Sequence, residues 1–219
     1  MGYLRAFWAS TVGKKMVMAV SGLMLVAFTV AHMAGNLQAF VSPERFDAYA
    51  HLLQGPLIEL VWAQRVVLLI AVVLHVVAAV QLTLRNRAAR PEAYALKEAQ
   101  AATFASRTLR LGGLILLVFI VYHLLHFTTG TLHPDFRRGA AYHNLITGLR
   151  SPVVGWFYLI AMAVLALHLF HGVWSSVRTL GAAPPSANPF NRRVALALAV
   201  IIAGGFAAVP VAVMVGLLR

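Results

Sequence analysis

Six of the nine histidines in this 219-residue chain lie inside long apolar runs: His32 in VAHMAGN, His75 in VLHVVAA, His123 and His126 in FIVYHLLHFTTG, and His168 and His171 in LHLFHGVWSS. A neutral imidazole presents one lone-pair nitrogen and one N–H, and burying either without a partner costs free energy. Such a side chain inside a membrane helix is there to bind a metal or haem iron, to bond a neighbouring carbonyl or hydroxyl, or to relay protons. The two doublets have i, i+3 spacing, which places both rings on nearly one helical face. Four apolar segments therefore each bring a histidine to the interior of a bundle.

The elements that must position these rings follow from composition. Hydrophobic residues make up 61% of the chain and charged residues 11%, with a mean hydropathy of +0.81. This excludes an ordinary soluble globule and implies an integral membrane protein. The net charge of +12 is distributed in short clusters between apolar runs, a pattern that argues against nucleic-acid binding. No cysteine is present, so the chain forms no disulfide, ligates no iron–sulfur cluster through sulfur and attaches no c-type haem. A redox centre held by this chain alone must use histidine.

Five spans are expected, in a single all-α domain covering residues 1–219. The first, residues 16–40, follows Lys14 and Lys15 like a signal peptide but is too long for one, and reads as a retained helix. A polar segment with Pro43, Glu44, Arg45, Asp47 and Gly55-Pro56 then reads as a break. The second span, residues 57–84, stops at Arg85, Arg87 and Arg90, and a polar connector with Lys97, Glu98, Arg107 and Arg110 follows. The third, residues 111–131, ends at His133-Pro134-Asp135 before a loop with Arg137, Arg138, His143 and Arg150. The fourth, residues 153–177, ends at Arg178 and a breaker cluster that includes Pro184-Pro185. The fifth, residues 194–218, carries no ionisable group, and Gly204, Gly205 and Gly216 would allow close helix approach. Of the Lys and Arg residues, 12 fall on the side of the N-terminus and 6 on the other, which puts the N-terminus in the cytoplasm and the C-terminus outside.

Depth then sorts the histidines. His75 lies ten residues from Arg85 and His168 ten from Arg178, a depth of about 15 Å for each. His123 lies thirteen from Arg110 and His32 seventeen from Lys15, about 20 and 25 Å deep. The natural pairs are His75 with His168 near the cytoplasm and His32 with His123 toward the outside. Two histidines facing each other at one depth match bis-imidazole ligation of a haem iron. Zinc is disfavoured, because the four do not converge and no carboxylate accompanies them. His126 and His171, one turn from His123 and His168, would stand behind the ligands and reach haem propionates or a quinone head, or would themselves be the ligands. His51, His133 and His143 read as solvated or interfacial residues.

The ordered motifs HMAGN, LHVVA, YHLLHF and HLFHGVWSS, with RLGG opening the third span, resemble the cytochrome b membrane-anchor subunit of bacterial succinate dehydrogenases and fumarate reductases of the five-helix, diheme type. The resemblance covers nearly the whole chain. It implies two non-covalent b-type haems, a distal one held by His32 and His123 and a proximal one held by His75 and His168, in agreement with the depth count. It also implies a bacterial cytoplasmic membrane location and no succinate chemistry in this subunit. A flavoprotein with covalent FAD and an iron–sulfur protein would dock on the cytoplasmic face, and electrons would pass between them and membrane quinone, by analogy menaquinone. Whole complexes of this kind could further oligomerise. Arg110 would pair with a propionate or with the partner, and Gly112 and Gly113 would admit a flat porphyrin.

Quinone needs an apolar slot with one or two donors. Candidates are Asn36, Gln38 and His126 at the outer end and Ser21, Gln81, His171 and Trp174 at the cytoplasmic end, and the sequence does not choose between them. Two other readings fit the histidines: the cytochrome b anchor of a formate dehydrogenase or hydrogenase, and a haem-free transporter with a histidine relay. The transporter lacks support from any inverted repeat or Gly/Pro-broken helix pair.

Overall fold

The computed structural model of the chain describes residues 2–89, 104–182 and 189–219, and within them it contains α-helices, single helical turns and no strand. Residues 90–103 of the connector, with Arg90, Lys97 and Glu98, and the Pro184-Pro185 pair lie outside the described residues. A short helix α1 (Gly2–Ala9) leads into α2 (Thr11–Leu37), which a 3-10 turn extends to Phe40. Then come α3 (Pro43–Gln54), α4 (Ile58–Ala88), α5 (Phe104–His123) with a π-turn over Leu124–Thr128, α6 (Ala141–Leu149), α7 (Pro152–Thr179) and α8 (Pro189–Met214). Five segments are long and apolar enough to cross a membrane: Thr11–Phe40, Ile58–Ala88, Thr108–Thr128, Pro152–Thr179 and Asn191–Met214. The protein is an all-α bundle of five such helices.

Several boundaries differ from expectation for identifiable reasons. The first span begins earlier, at Thr11, because Ser10 caps it by accepting from the Gly13 N–H at 2.8 Å. Lys14 is consequently inside the helix and buried, its ammonium bonding the Trp8 carbonyl and lying 4.6 Å from the Trp8 ring. Arg85, at the end of α4, donates to the neighbouring Ala9 carbonyl at 2.8 Å. Two cations thus satisfy the free carbonyls at the C-terminus of α1. The fifth span ends at Met214 because the chain turns at Gly216, whose φ is +76°.

The segment expected to break the helix after the first span is instead α3. Ser42 accepts from the Arg45 N–H, Pro43 occupies the first turn and Glu44 follows it, which together form a helix start. The loop expected around His143 likewise contains α6. Its N-terminal Tyr142 N–H is bonded by Asp47 Oδ1 of α3 at 2.8 Å, so two polar segments far apart in sequence hold each other. These two helices and the π-turn form a cap over the bundle end opposite the N-terminus.

α7 is the central helix, packed along α8, α5 and α2, while α4 packs mainly on α2. Small buried residues, Ala19 on α2 and Ala71 and Ala78 on α4, permit that last approach. Gly205 serves the same end on α8, since a Cβ there would strike the Met33 sulfur. Gly204 meets nothing within 4 Å and Gly216 lies beyond the helix, so neither provides the helix contact expected of it. The pairs α2 with α5 and α4 with α7 are not among the extensively packed ones.

Candidate functional site

The four histidines expected to pair by depth do so. The rings of His32 on α2 and His123 on α5 have centres 5.8 Å apart. Those of His75 on α4 and His168 on α7 are 6.2 Å apart. An imidazole nitrogen lies about 2 Å from a bound transition metal and about 1.2 Å from its own ring centre, so two rings on opposite sides of one iron have centres about 6.3 Å apart. The His75–His168 pair stands at that separation and the His32–His123 pair about 0.5 Å inside it. They span the helix pairs that lack extensive backbone packing, which leaves width between those helices for a flat group. Among the described residues no three His, Asp or Glu side chains converge, so the histidines meet in twos.

Hydrogen bonds behind the rings decide which nitrogen each pair presents. Nδ1 of His75 donates to the Met18 carbonyl at 3.1 Å and lies 3.4 Å from Ser21 Oγ. The proton is thereby placed on Nδ1, and Nε2 keeps the lone pair that a metal needs. Across from it, Nδ1 of His168 is buried and has no partner among the described residues. That unsatisfied atom is a cost the fold carries at this position. Gly22 of α2 lies against the same edge of the His75 ring, where a Cβ would come 3.1 Å from Cε1 and 3.4 Å from Nδ1. The residues present therefore fit two bis-imidazole haem sites, one at each level.

His32 is stacked on Phe28 at 5.3 Å and flanked by Phe206 at 5.5 Å. Both its ring nitrogens are 3.4 Å from the Asn36 amide nitrogen, which itself donates to the His32 carbonyl at 2.8 Å. His123 has its Nδ1 3.4 Å from the Tyr158 hydroxyl.

His123 and His126 both reach Tyr158 of α7, as their spacing implies. A π-turn begins after His123 and is closed by a Thr129 N–H to Leu124 carbonyl bond of 2.9 Å. His126 is 1% exposed, bonds Tyr158 Oη through Nδ1 at 3.0 Å and stacks on His133 at 5.0 Å. His133 was expected at the solvated surface but is buried. Its Nε2 donates to the Asn144 carbonyl at 2.8 Å and its Nδ1 accepts from the Asp135 N–H at 3.1 Å. At the cap surface, Asp135 binds His143 at 2.8 Å and Arg137 at 3.1 Å. Partial burial pushes the Asp135 carboxyl up, but the bonds and charges of Arg137 and His143 outweigh it and hold the group below its ordinary range.

The remaining candidates are dispersed. Gly113 lies beside the His168 ring, and Gly112 lies against Val164 of α7. Arg110 is exposed near the start of α5. Gln38 sits in the 3-10 turn, Gln81 is half-buried on α4, and His171 is half-buried one turn beyond His168. Trp174 is stacked under the Arg178 and Arg192 guanidiniums at 5.2 and 5.9 Å.

A cavity of about 230 Å³ opens at the capped end beside the His32–His123 pair. It is lined by His32 and Asn36 together with Tyr49, Gln54 and Arg65, and by apolar residues that include Phe46 and Ile58. Tyr49, Gln54 and Arg65 were not singled out in the sequence. Arg65, expected in the outer basic set, lies on the wall of α4 with its guanidinium 4.8 Å from the Trp62 ring. Tyr158 was missed as well, although a tyrosine within an apolar run is a usable signal, since its hydroxyl must find a partner. The Met18 carbonyl has no sequence signal at all. Comparison with protein-family models, with curated proteins and with solved structures finds no match for this chain.

Proposed function

We propose that this chain is the haem-carrying, quinone-reactive membrane anchor of a succinate:quinone oxidoreductase of the bacterial cytoplasmic membrane. The observation that carries the reading is the pair of facing imidazole couples, at 5.8 and 6.2 Å, at two levels of a five-helix bundle. When bound, two b-type haems supply one-electron carriers at two depths of the bilayer.

The chain's own residues do the rest. His32 and His123 would hold one iron from α2 and α5, and His75 and His168 the other from α4 and α7. The Met18 carbonyl fixes the His75 tautomer and thereby aims its lone pair into the gap. Apolar rings beside the histidines, Phe28 and Phe206 at His32 and Phe119 and Phe127 at His123, lower the local dielectric. The cavity beside His32 suits a quinone ring: Phe46 and Ile58 pack on its faces, and Asn36, Tyr49 and Arg65 supply donors for its carbonyl oxygens. Of the two ends left open by the sequence, this favours the outer one. The basic residues at the N-terminal end, Arg85, Arg87 and Arg110 among them, suit a partner of opposite charge, here the iron–sulfur subunit with its flavoprotein.

Optical and pyridine-haemochrome spectra of the purified chain test the reading. It requires two b-type haems per chain and copurification with a covalent flavoprotein. A chain purified without haem from a haem-replete host ends it, and copurification with a molybdopterin or nickel protein would transfer the chain to a different dehydrogenase.

A further inference from the structure

The two imidazole pairs are braced differently. On one side the brace is the Met18 backbone carbonyl, which no substitution removes. On the other it is the Tyr158 side chain, which lies between two histidines: its hydroxyl is 3.4 Å from His123 Nδ1 and 3.0 Å from His126 Nδ1. A phenolic hydroxyl has one proton to donate and lone pairs to accept with, so it can serve both histidines only in a fixed order.

We infer that Tyr158 is the positioning residue of the outer imidazole pair. Its oxygen accepts from His123 Nδ1–H, its own proton goes to His126 Nδ1, and His123 Nε2 is thereby left bare toward His32. The inference rests on the haem-ligand reading above, because ligation through Nε2 is what obliges Nδ1 of His123 to carry the proton.

The hydroxyl is placed by packing and not only by the bonds it makes. The Tyr158 ring is buried at 7% exposure and stands edge-on to Phe119 at 5.0 Å and to Phe127 at 5.8 Å. Its receiving histidine, His126, is buried and stacked on His133, which is itself tied to the cap through the Asn144 carbonyl. The order His123, Tyr158, His126 therefore runs between walls that hold each ring, and it links the outer pair to the capping segment. An acceptor behind a ligating imidazole raises its basicity, and its removal weakens the bond to the oxidised metal more than to the reduced one.

Redox titration of the haem-loaded protein tests this. In Tyr158→Phe, which keeps the ring and loses the hydroxyl, the midpoint potential of the outer centre, defined as the one that His32→Ala removes, should shift upward while the other stays unchanged. The low-spin electron paramagnetic resonance signal of the same centre should move with it. Tyr122→Phe alters the same aromatic cluster and should move neither centre. If both midpoints and both signals in Tyr158→Phe equal those of the unsubstituted protein, the assignment is overturned while the haem reading stands. An unsubstituted chain that binds no haem overturns the haem reading first. Should Tyr158→Phe not accumulate, His126→Leu reads the chain from its far end: an upward shift confined to the outer centre supports the assignment, and unchanged potentials refute it.

Discussion

Gly148 of α6 gives the sharpest test of the packing described above. A Cβ at this buried position would lie 2.8 Å from His133 Nε2 and 3.0 Å from both Cε1 and Nε2 of His126. The first contact is 0.6 Å inside the 3.4 Å at which ordinary contact begins. Neither ring can retreat freely. His133 is bonded at both nitrogens, to the Asn144 carbonyl and the Asp135 N–H, and His126 is bonded to Tyr158. Gly148→Ala gains about 1 kcal/mol of helix propensity. Against this stands about 1–3 kcal/mol of overpacking, and about 1–3 kcal/mol more if a buried hydrogen bond breaks. The net effect is a destabilisation of about 0–2 kcal/mol with both rings still bonded and of about 1–5 kcal/mol if one of those bonds breaks. Thermal unfolding in one detergent, side by side with Gly204→Ala, is the assay. At Gly204 an added Cβ meets nothing within 4 Å, so that variant should unfold at or slightly above the temperature of the unsubstituted protein. A Gly148→Ala protein as stable as Gly204→Ala would refute the account of the His126–His133 stack.

Other outcomes follow from the same geometry. His75→Ala and His168→Ala should each leave one b-type haem per chain, whereas His126→Ala should retain two at lower stability. Haem-to-protein ratios decide, and loss of a haem in His126→Ala would exchange the roles of His126 and His123. Asp135 is held below its ordinary range, so the stability it contributes is complete above the unfolded carboxylate range and is lost as pH falls through the lower folded value. Amide exchange in α6 should accelerate over that acid window and should lose this pH dependence in Asp135→Asn. Arg85→Ala should free α1 from its elbow, seen as faster exchange in residues 2–9 with α4 unaffected. Equal exchange in the two proteins would mean that the Arg85 bond to Ala9 does not hold the elbow.

The histidine pairs could be found in the sequence because helical rise is constant and basic residues mark where a helix leaves the apolar layer. Counting residues from Arg85, Arg178, Arg110 and Lys15 therefore measures depth. The i, i+3 rule assigns His123 and His126 to one side, and both reach Tyr158; the π-turn that holds His126 has no comparable signal in the residue spacing. In the cap, local polarity does not mean absence of structure, because Ser42, Pro43 and Glu44 spell a helix start. His133 looked like a surface residue because its burial depends on α6, a segment whose own fold rests on Asp47. The cavity walls come from four helices, α2, α3, α4 and α6, and nothing in any one of them reveals that they meet.

The π-turn at Leu124–Thr128 makes chain length a functional variable in its own right. Removing Phe127 or Thr128 would close the turn to α geometry and leave the connection to α6 one residue shorter. His133 and α6 would be drawn toward α5, the stack of His126 on His133 would be disturbed, and the cap would arrive out of step with α3. Substitutions in the turn alter a side chain, but a single deletion would shift the cap without changing any residue of the His32–His123 pair.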